Sequence, residues 1–300
     1  MLRSFIFFII AANLCFSQTA PTALDLLKQG QESNSKGQQD EALKLYRQAL
    51  EMSPNLYEAQ LASGIALDLK GNYAEAREYF TKAIQSAPAE KKQQALRAMA
   101  VSYAFKKHST EAAKFEQQVI DARMAAHDFT GAAEICNELA RIELESGDAT
   151  AAYKSYKTGY EIALQKPDLT LTDKSLWLFR WESAQARIAA RSGKADEARE
   201  HVTAAKAALD KANNPDQAQF LPYLTGYVAF YTGDYNTAIA DLKTANQNDP
   251  LILALLAEAY EKSGDTAQAT EYYRKVLASN AHNPTNAFAR PLAKEKLAKP

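Results

Sequence analysis

The chain is poor in the residues from which compact catalytic and redox sites are commonly built. It has two cysteines and four histidines in 300 residues. The histidines, His108, His127, His201 and His282, are scattered, and no two stand at the i, i+4 spacing that puts a pair on one helix face. No HExxH, CxxC, glycine-rich phosphate loop or GxSxG elbow occurs, which leaves no motif for a zinc hydrolase, thiol exchange, a bound nucleotide or an activated serine. No catalytic, cofactor-binding or metal-ligating residue is expected. Net charge is missing too. With 35 basic against 36 acidic side chains, there is no field to hold a polyanion, and nucleic acid is not an expected partner. No run alternates with period two for long enough to make a strand. No Asn-X-Ser/Thr acceptor with a permitted middle residue appears, which points away from a glycosylated secretory protein.

At the N-terminus, MLRSFIFFIIAANLCFSQ has one positive charge at Arg3, an apolar run from Phe5 to Ala12 that continues through Leu14 to Phe16, and then small and polar residues. About a dozen apolar residues suit a secretory signal peptide and fall short of the roughly 20 that span a bilayer. Residues 1–17 are read as that peptide, cleaved after Ser17; the alternative is a buried first helix. Leu14 stands where a lipoprotein signal would have a small residue before Cys15, so a lipid anchor is not favoured. Cleavage leaves one thiol, Cys136, in the helical run GAAEICNELA, where a cysteine is usually a small buried apolar group. The expected location is the periplasm or exterior of a bacterium.

Two stretches set the internal pattern. Gly30 to Pro54 laid on Gly64 to Pro88 matches Gly30 with Gly64, Gly37 with Gly71, Ala42 with Ala76, Tyr46 with Phe80, Ala49 with Ala83 and Pro54 with Pro88, all at an offset of 34 residues. Ala42, Tyr46 and Ala49 fall on one helical stripe, small residues flanking a ring. Gly30 and Gly64 lie inside helix-forming runs, at a cost of roughly 1 kcal/mol relative to Ala, so each is expected at a close helix contact. Gly37 and Gly71 are placed to end a helix through a left-handed backbone, and Pro54 and Pro88 by withholding an amide donor.

This order and period resembles the tetratricopeptide repeat (TPR), a helix-turn-helix unit that stacks into a superhelix. The resemblance implies an all-α, right-handed solenoid. Counting from the turn residues extends it to seven units near residues 23–55, 57–89, 93–127, 129–166, 172–213, 217–249 and 250–282, within a solenoid over 18–282. In unit three Lys107 stands where the turn glycine would, and Glu116 replaces the ring, with Phe115 beside it. Turn-to-turn steps of 34, 36, 40, 46, 40 and 31 predict longer helices or an inserted loop in the middle, with Gln165 to Asp173 as the loop. Thr172 to Arg191, Lys194 to Ala212 and Gln217 to Thr232 each read as one helix. The tail, residues 283–300, is expected to cap the last apolar face with Phe288, Leu292 and Leu297 on one side, or else to leave and bind elsewhere.

In the TPR family the first helix of each unit lines a concave groove. Carried over, the lining positions are Leu61, Ile65 and Leu69; Arg97, Val101 and Phe105; Asn137, Arg141 and Glu145; Arg180, Arg187 and Arg191; and Phe220, Tyr223, Tyr227, Phe230 and Tyr231. The candidate partner site is Arg141, Arg180, Arg187, Arg191, Tyr223, Tyr227, Phe230 and Tyr231. Arginine forks match carboxylates and tyrosines anchor interfaces, so the expected partner is a protein or peptide with acidic and apolar groups. Against this, Tyr223, Tyr227 and Phe230 also fit packing onto unit seven, and Arg187 and Arg191 fit pairing with Glu182 or Glu197. The lysine–asparagine clamp of chaperone-binding TPR domains is absent, its places holding Leu27, Gln31 and Ala62. The expected function is a non-enzymatic interaction scaffold. The alternatives are a cell-envelope assembly component with peripheral membrane association and, more remotely, a hydrolase with a groove carboxylate pair.

Overall fold

Seven of the ten left-handed residues among those described turn the chain within its hairpins. The computed structural model describes residues 20–298; the expected signal peptide lies outside them. Among the described residues there is no strand. The first three hairpins are α1 (Ala23–Ser35) with α2 (Gln39–Met52), α3 (Tyr57–Lys70) with α4 (Tyr73–Ser86), and α5 (Lys92–Ala104) with α6 (Ser109–Ala125). Next come α7 (Phe129–Ser146) with α8 (Ala149–Ala163) and α9 (Leu171–Arg191) with α10 (Ala195–Ala212). A short α11 (Pro215–Ala218) leads into α12 (Leu221–Tyr231) with α13 (Tyr235–Thr244), then α14 (Pro250–Lys262) with α15 (Thr266–Ala278), and last α16 (Pro284–Ala298). Gly37, Gly71, Gly147, Gly193, Gly233 and Gly264 turn six of the seven hairpins with φ between 73° and 104°. Lys107 turns the remaining one at φ 57°, so it does stand in for the glycine. In three turns the next residue is an aspartate, Asp148, Asp234 or Asp265, whose carboxylate accepts the amide three residues on and caps the second helix.

The hairpin seams follow the small-and-ring rule. Ala42, Ala49, Ala76, Ala83, Ala152, Ala198, Ala205 and Ala238 are wholly buried. A Cβ placed on Gly30 would lie 2.4 Å from the Tyr46 ring, and one on Gly64 would lie 2.5 Å from the Phe80 ring. Each glycine therefore sits beneath the ring of its own hairpin's second helix. Gly226 repeats the arrangement with Leu242, at 2.6 Å. The long central steps come from longer helices, 17 to 21 residues in α6, α7, α9 and α10 against 13 or 14 in the first two hairpins. They also come from the loop between α8 and α9. Cys136 is buried, and burial pushes its thiol up to about 12.

Two details differ from expectation. Gln217 to Thr232 is not one helix. It breaks after Ala218 because Pro222, at the start of α12, has no N–H to donate back to the Ala218 carbonyl, and the chain tightens so that the Phe220 amide donates to Gln217 O (3.1 Å). The apolar residues of the tail also do not share one side. Leu292 and Leu297 pack on the last hairpin, whereas Phe288 joins Val101, Phe105 and Ile142 of α5 and α7. Helix α16 thus caps the last unit and crosses to the inner face of the early ones. Arg290 Nε donates to Leu69 O (2.9 Å), Lys294 Nζ donates to the carbonyls of Leu69 and Lys70, and Asn280 bonds both Gln39 and Ser35 O. The superhelix closes on its own beginning.

Two substitutions test the seams. Gly64→Leu drives atoms into the Phe80 ring and should cost about 1–3 kcal/mol in urea unfolding; an unchanged midpoint would mean that the ring swings clear. Glu116 is wholly buried at the ring position of unit three, with neither carboxyl oxygen hydrogen-bonded. Burial first, and then Glu138, hold its pKa well above the ordinary value, against the pull of Arg97. A raised folded pKa adds stability at low pH that is lost as pH rises through it. Glu116→Leu should therefore stabilise the fold by about 1–3 kcal/mol at pH 8 and by less at pH 5; equal gains at both pH values would count against a buried ionisable group.

Candidate functional site

The first helix of each hairpin faces inward, and its residues three or four apart form a stripe on the concave side. Leu61 and Ile65 on α3, Arg97 and Val101 on α5, Asn137 and Arg141 on α7, and Arg180 and Arg187 on α9 line a chamber of about 870 Å³, with Phe220 and Tyr223 at its far side. His282 to Thr285, leading into α16, close it off. The lower part of the concave face is filled by α16 itself, so Leu69 and Phe105 touch the tail instead of the chamber. His282 is held by Asp68 (Nε2 to Oδ2 2.8 Å), which also accepts from Ser102 Oγ (3.0 Å). Burial raises the Asp68 pKa, against the pull of these two partners.

Of the eight candidate partner residues, the structure brings Arg141, Arg180, Arg187 and Tyr223 to the chamber wall. Arg191, Tyr227, Phe230 and Tyr231 do not line it. Tyr227 is fully buried, and Phe230 and Tyr231 pack against the hydrophobic cluster of the last hairpins. Arg191 pairs with neither Glu182 nor Glu197. Its Nη1 donates to Glu145 (2.6 Å) and to the Tyr227 hydroxyl (3.3 Å), and Tyr227 donates to the other oxygen of Glu145 (3.0 Å). This closed triad pairs its charges internally. Glu182 is bonded to His201 and Glu197 to Lys194.

Arg187 is different. It is 6% exposed, its Nε donates to Ser183 O (3.2 Å), and its Nη1 has no hydrogen-bond partner. The guanidinium lies over the ring of Tyr156 (5.3 Å) and over that of Tyr223 (5.9 Å), and Arg141 lies over the Tyr223 ring as well (5.7 Å). Neither arginine forms an ion pair among the described residues. Burial works against the charge of Arg187, the surrounding tyrosine oxygens and Glu145 work for it, and the net direction is upward, so it stays a cation. Burial raises the Tyr223 pKa, and that phenol stays neutral at physiological pH. The hydroxyls of Tyr156, Tyr223 and Ser183 are likewise enclosed without partners. Each buried, unsatisfied polar group costs about 1–3 kcal/mol.

At the opposite end of the chamber Arg97 Nη2 donates to Glu138 at 2.5 Å, with Glu134 as a second carboxylate. No three His, Cys, Asp or Glu side chains gather as metal ligands among the described residues. Sequence reasoning missed Tyr156 and Ser183. Tyr156 lies on α8, a second helix, and only the fold brings it to the chamber wall, whereas Ser183 lies one turn before Arg187 and was within reach of the helical count.

Residues 27–91 and, separately, residues 229–288 match tetratricopeptide repeat family models. No curated protein matches the chain. Among solved structures it is similar to a tetratricopeptide repeat protein from Parabacteroides merdae, at 14% identity and a TM-score of 0.50 over 92% of this chain and 98% of that one. It is also similar to the apo form of RapI, at 12% identity and a TM-score of 0.55 over 91% and 99%. A Rap protein solved with competence and sporulation factor gives 13% identity and a TM-score of 0.50 over 91% and 76%. The chain thus carries tetratricopeptide repeats toward both ends, and its described length has the helical solenoid fold of TPR proteins.

Proposed function

We propose that this chain is a non-enzymatic interaction scaffold that receives a segment of a protein or peptide, bearing acidic and apolar groups, in the concave chamber. The observation that carries the reading is the chamber's asymmetry: apolar at Leu61, Ile65 and Val101, cationic and aromatic at Arg141, Arg180, Arg187 and Tyr223. Its volume falls in the range of roughly 300–1,000 Å³ typical of ligand sites, which suits a few side chains of a partner. A TPR-like neighbour solved with competence and sporulation factor supports the same kind of use. The apolar N-terminal run supports export to the periplasm or exterior of a bacterium. Among the described residues no helix is long and apolar enough to cross a membrane. The second reading is a peripheral component of an envelope assembly; fractionation separates an adaptor released with the periplasm from a component that sediments with membranes.

Screening the purified protein against a peptide array should return binders rich in Asp, Glu and apolar residues. Ile65→Arg at one end of the chamber and Phe220→Ala at the other should each weaken the best binder by about 1–2 kcal/mol in calorimetry, with helicity unchanged by circular dichroism. Binders indifferent to both substitutions would move the interaction off the concave face and sink the reading.

A further inference from the structure

The chamber wall under units four to six holds more hydrogen-bonding capacity than the chain itself uses. Arg187 Nη1 and the hydroxyls of Tyr156, Tyr223 and Ser183 are enclosed and unpartnered, and Arg141 stands beside Tyr223 without an ion pair. The contrast with Arg191, whose Nη1 is paired with Glu145 and Tyr227, shows that this fold can pair an interior arginine. Of the carboxylates lining the chamber, Glu138 is taken by Arg97, Asp249 caps α14 by accepting from the Leu251 amide (2.9 Å), and Glu134 is exposed on α7, where its charge acts on Arg97.

The shape of the donor set narrows the ligand. With Nε committed to Ser183 O and the ring faces of Tyr156 and Tyr223 beside the guanidinium plane, Arg187 has its Nη edge left to offer. A guanidinium edge matches the two oxygens of a planar carboxylate, and hydroxyl groups can turn their protons to either oxygen. Phe220, 44% exposed, supplies apolar surface in the same wall, with Phe179 and Leu224 buried behind that wall. We infer that Arg187 and Arg141, with the hydroxyls of Tyr156, Tyr223 and Ser183, form a carboxylate receptor that seats one acid group of an incoming peptide, with an apolar side chain of that peptide against Phe220. This rests on the reading that the chamber receives a peptide. The acid comes either from a chain terminus or from an Asp or Glu side chain.

Four probes test it on the purified full chain: acetate, acetyl-Leu-Phe with a free carboxylate, its C-terminal amide, and acetyl-Leu-Glu-Phe-amide. Binding is followed by calorimetry and by NMR of the arginine side chains. Acetate should shift the Arg187 resonances, and at least one peptide acid should bind about tenfold tighter than the amide. Preference for the free terminus or for the internal glutamate identifies the source. Arg187→Gln should abolish the preference for acid while the melting temperature holds or rises, because an unpaired interior charge has been removed. Arg187→Lys, which keeps the charge and loses the fork, should retain only part of it. The inference is overturned if acetate leaves Arg187 unmoved, if acid and amide bind alike, if inorganic phosphate displaces the acids without being displaced by them, or if Arg187→Gln binds as the parent does. Acetate held by Arg187 with no gain from the flanking apolar residues would instead break the peptide reading and leave the receptor standing.

Discussion

The structure depends on glycine lying flat beneath an aromatic ring. Where Gly30 sits under Tyr46 and Gly64 under Phe80, the two helices of a hairpin approach more closely than any side chain on the first would allow, and buried alanines along the same seam hold that distance. Gly226 under Leu242 and buried alanines keep the later seams close as well, and this spacing sets the bend of the solenoid. The bend gives the first helices a shared concave side, and it returns the end of the chain to its beginning. Unit three shows what happens when the rule is relaxed. Its turn is made by Lys107 in a glycine's conformation, and its ring position is held by a buried glutamate. Both departures are carried by neighbours that keep to the pattern.

Closure gives the groove its character. An open TPR trough would present a continuous inner surface, but here α16 fills part of it and the segment before it bounds what remains. The closing contacts use backbone carbonyls as well as apolar packing. Arg290 and Lys294 donate to the last carbonyls of α3, groups a helix leaves without intrahelical partners and where positive charge is favoured. In and around the remaining chamber, polar groups fall into two kinds. Arg191 with Glu145 and Tyr227, and Arg97 with Glu138, are internally paired and act as structure. Arg187, Arg141 and the hydroxyls around them are not, and that imbalance makes one wall of the chamber chemically distinct from the rest.

Much of this was legible in the residues. Local steric rules write themselves into composition: a left-handed turn calls for glycine, a close seam calls for glycine or alanine, and both recur at a fixed period. The inward stripe of each first helix could be counted the same way, which is why Arg141, Arg180, Arg187 and Tyr223 were found. The break before α12 had its signal in Pro222, outweighed by a helical run on either side. Nothing comparable marked the tail, because Phe288 and Leu292 look alike as apolar letters and only their surroundings send one to the middle hairpins and the other to the last.

The sequence by itself determined the hairpins, their turns, their number and the face each one turns inward, since these depend on contacts within some 34 residues that repeat down the chain. Tertiary structure alone decided which charges are spent. Glu145 reaches Arg191 across 46 positions and Tyr227 across 82, while Arg290 finds Leu69 across 221. Superhelical curvature sets such meetings, by summing small angles over every unit, and no single stretch of residues records that sum.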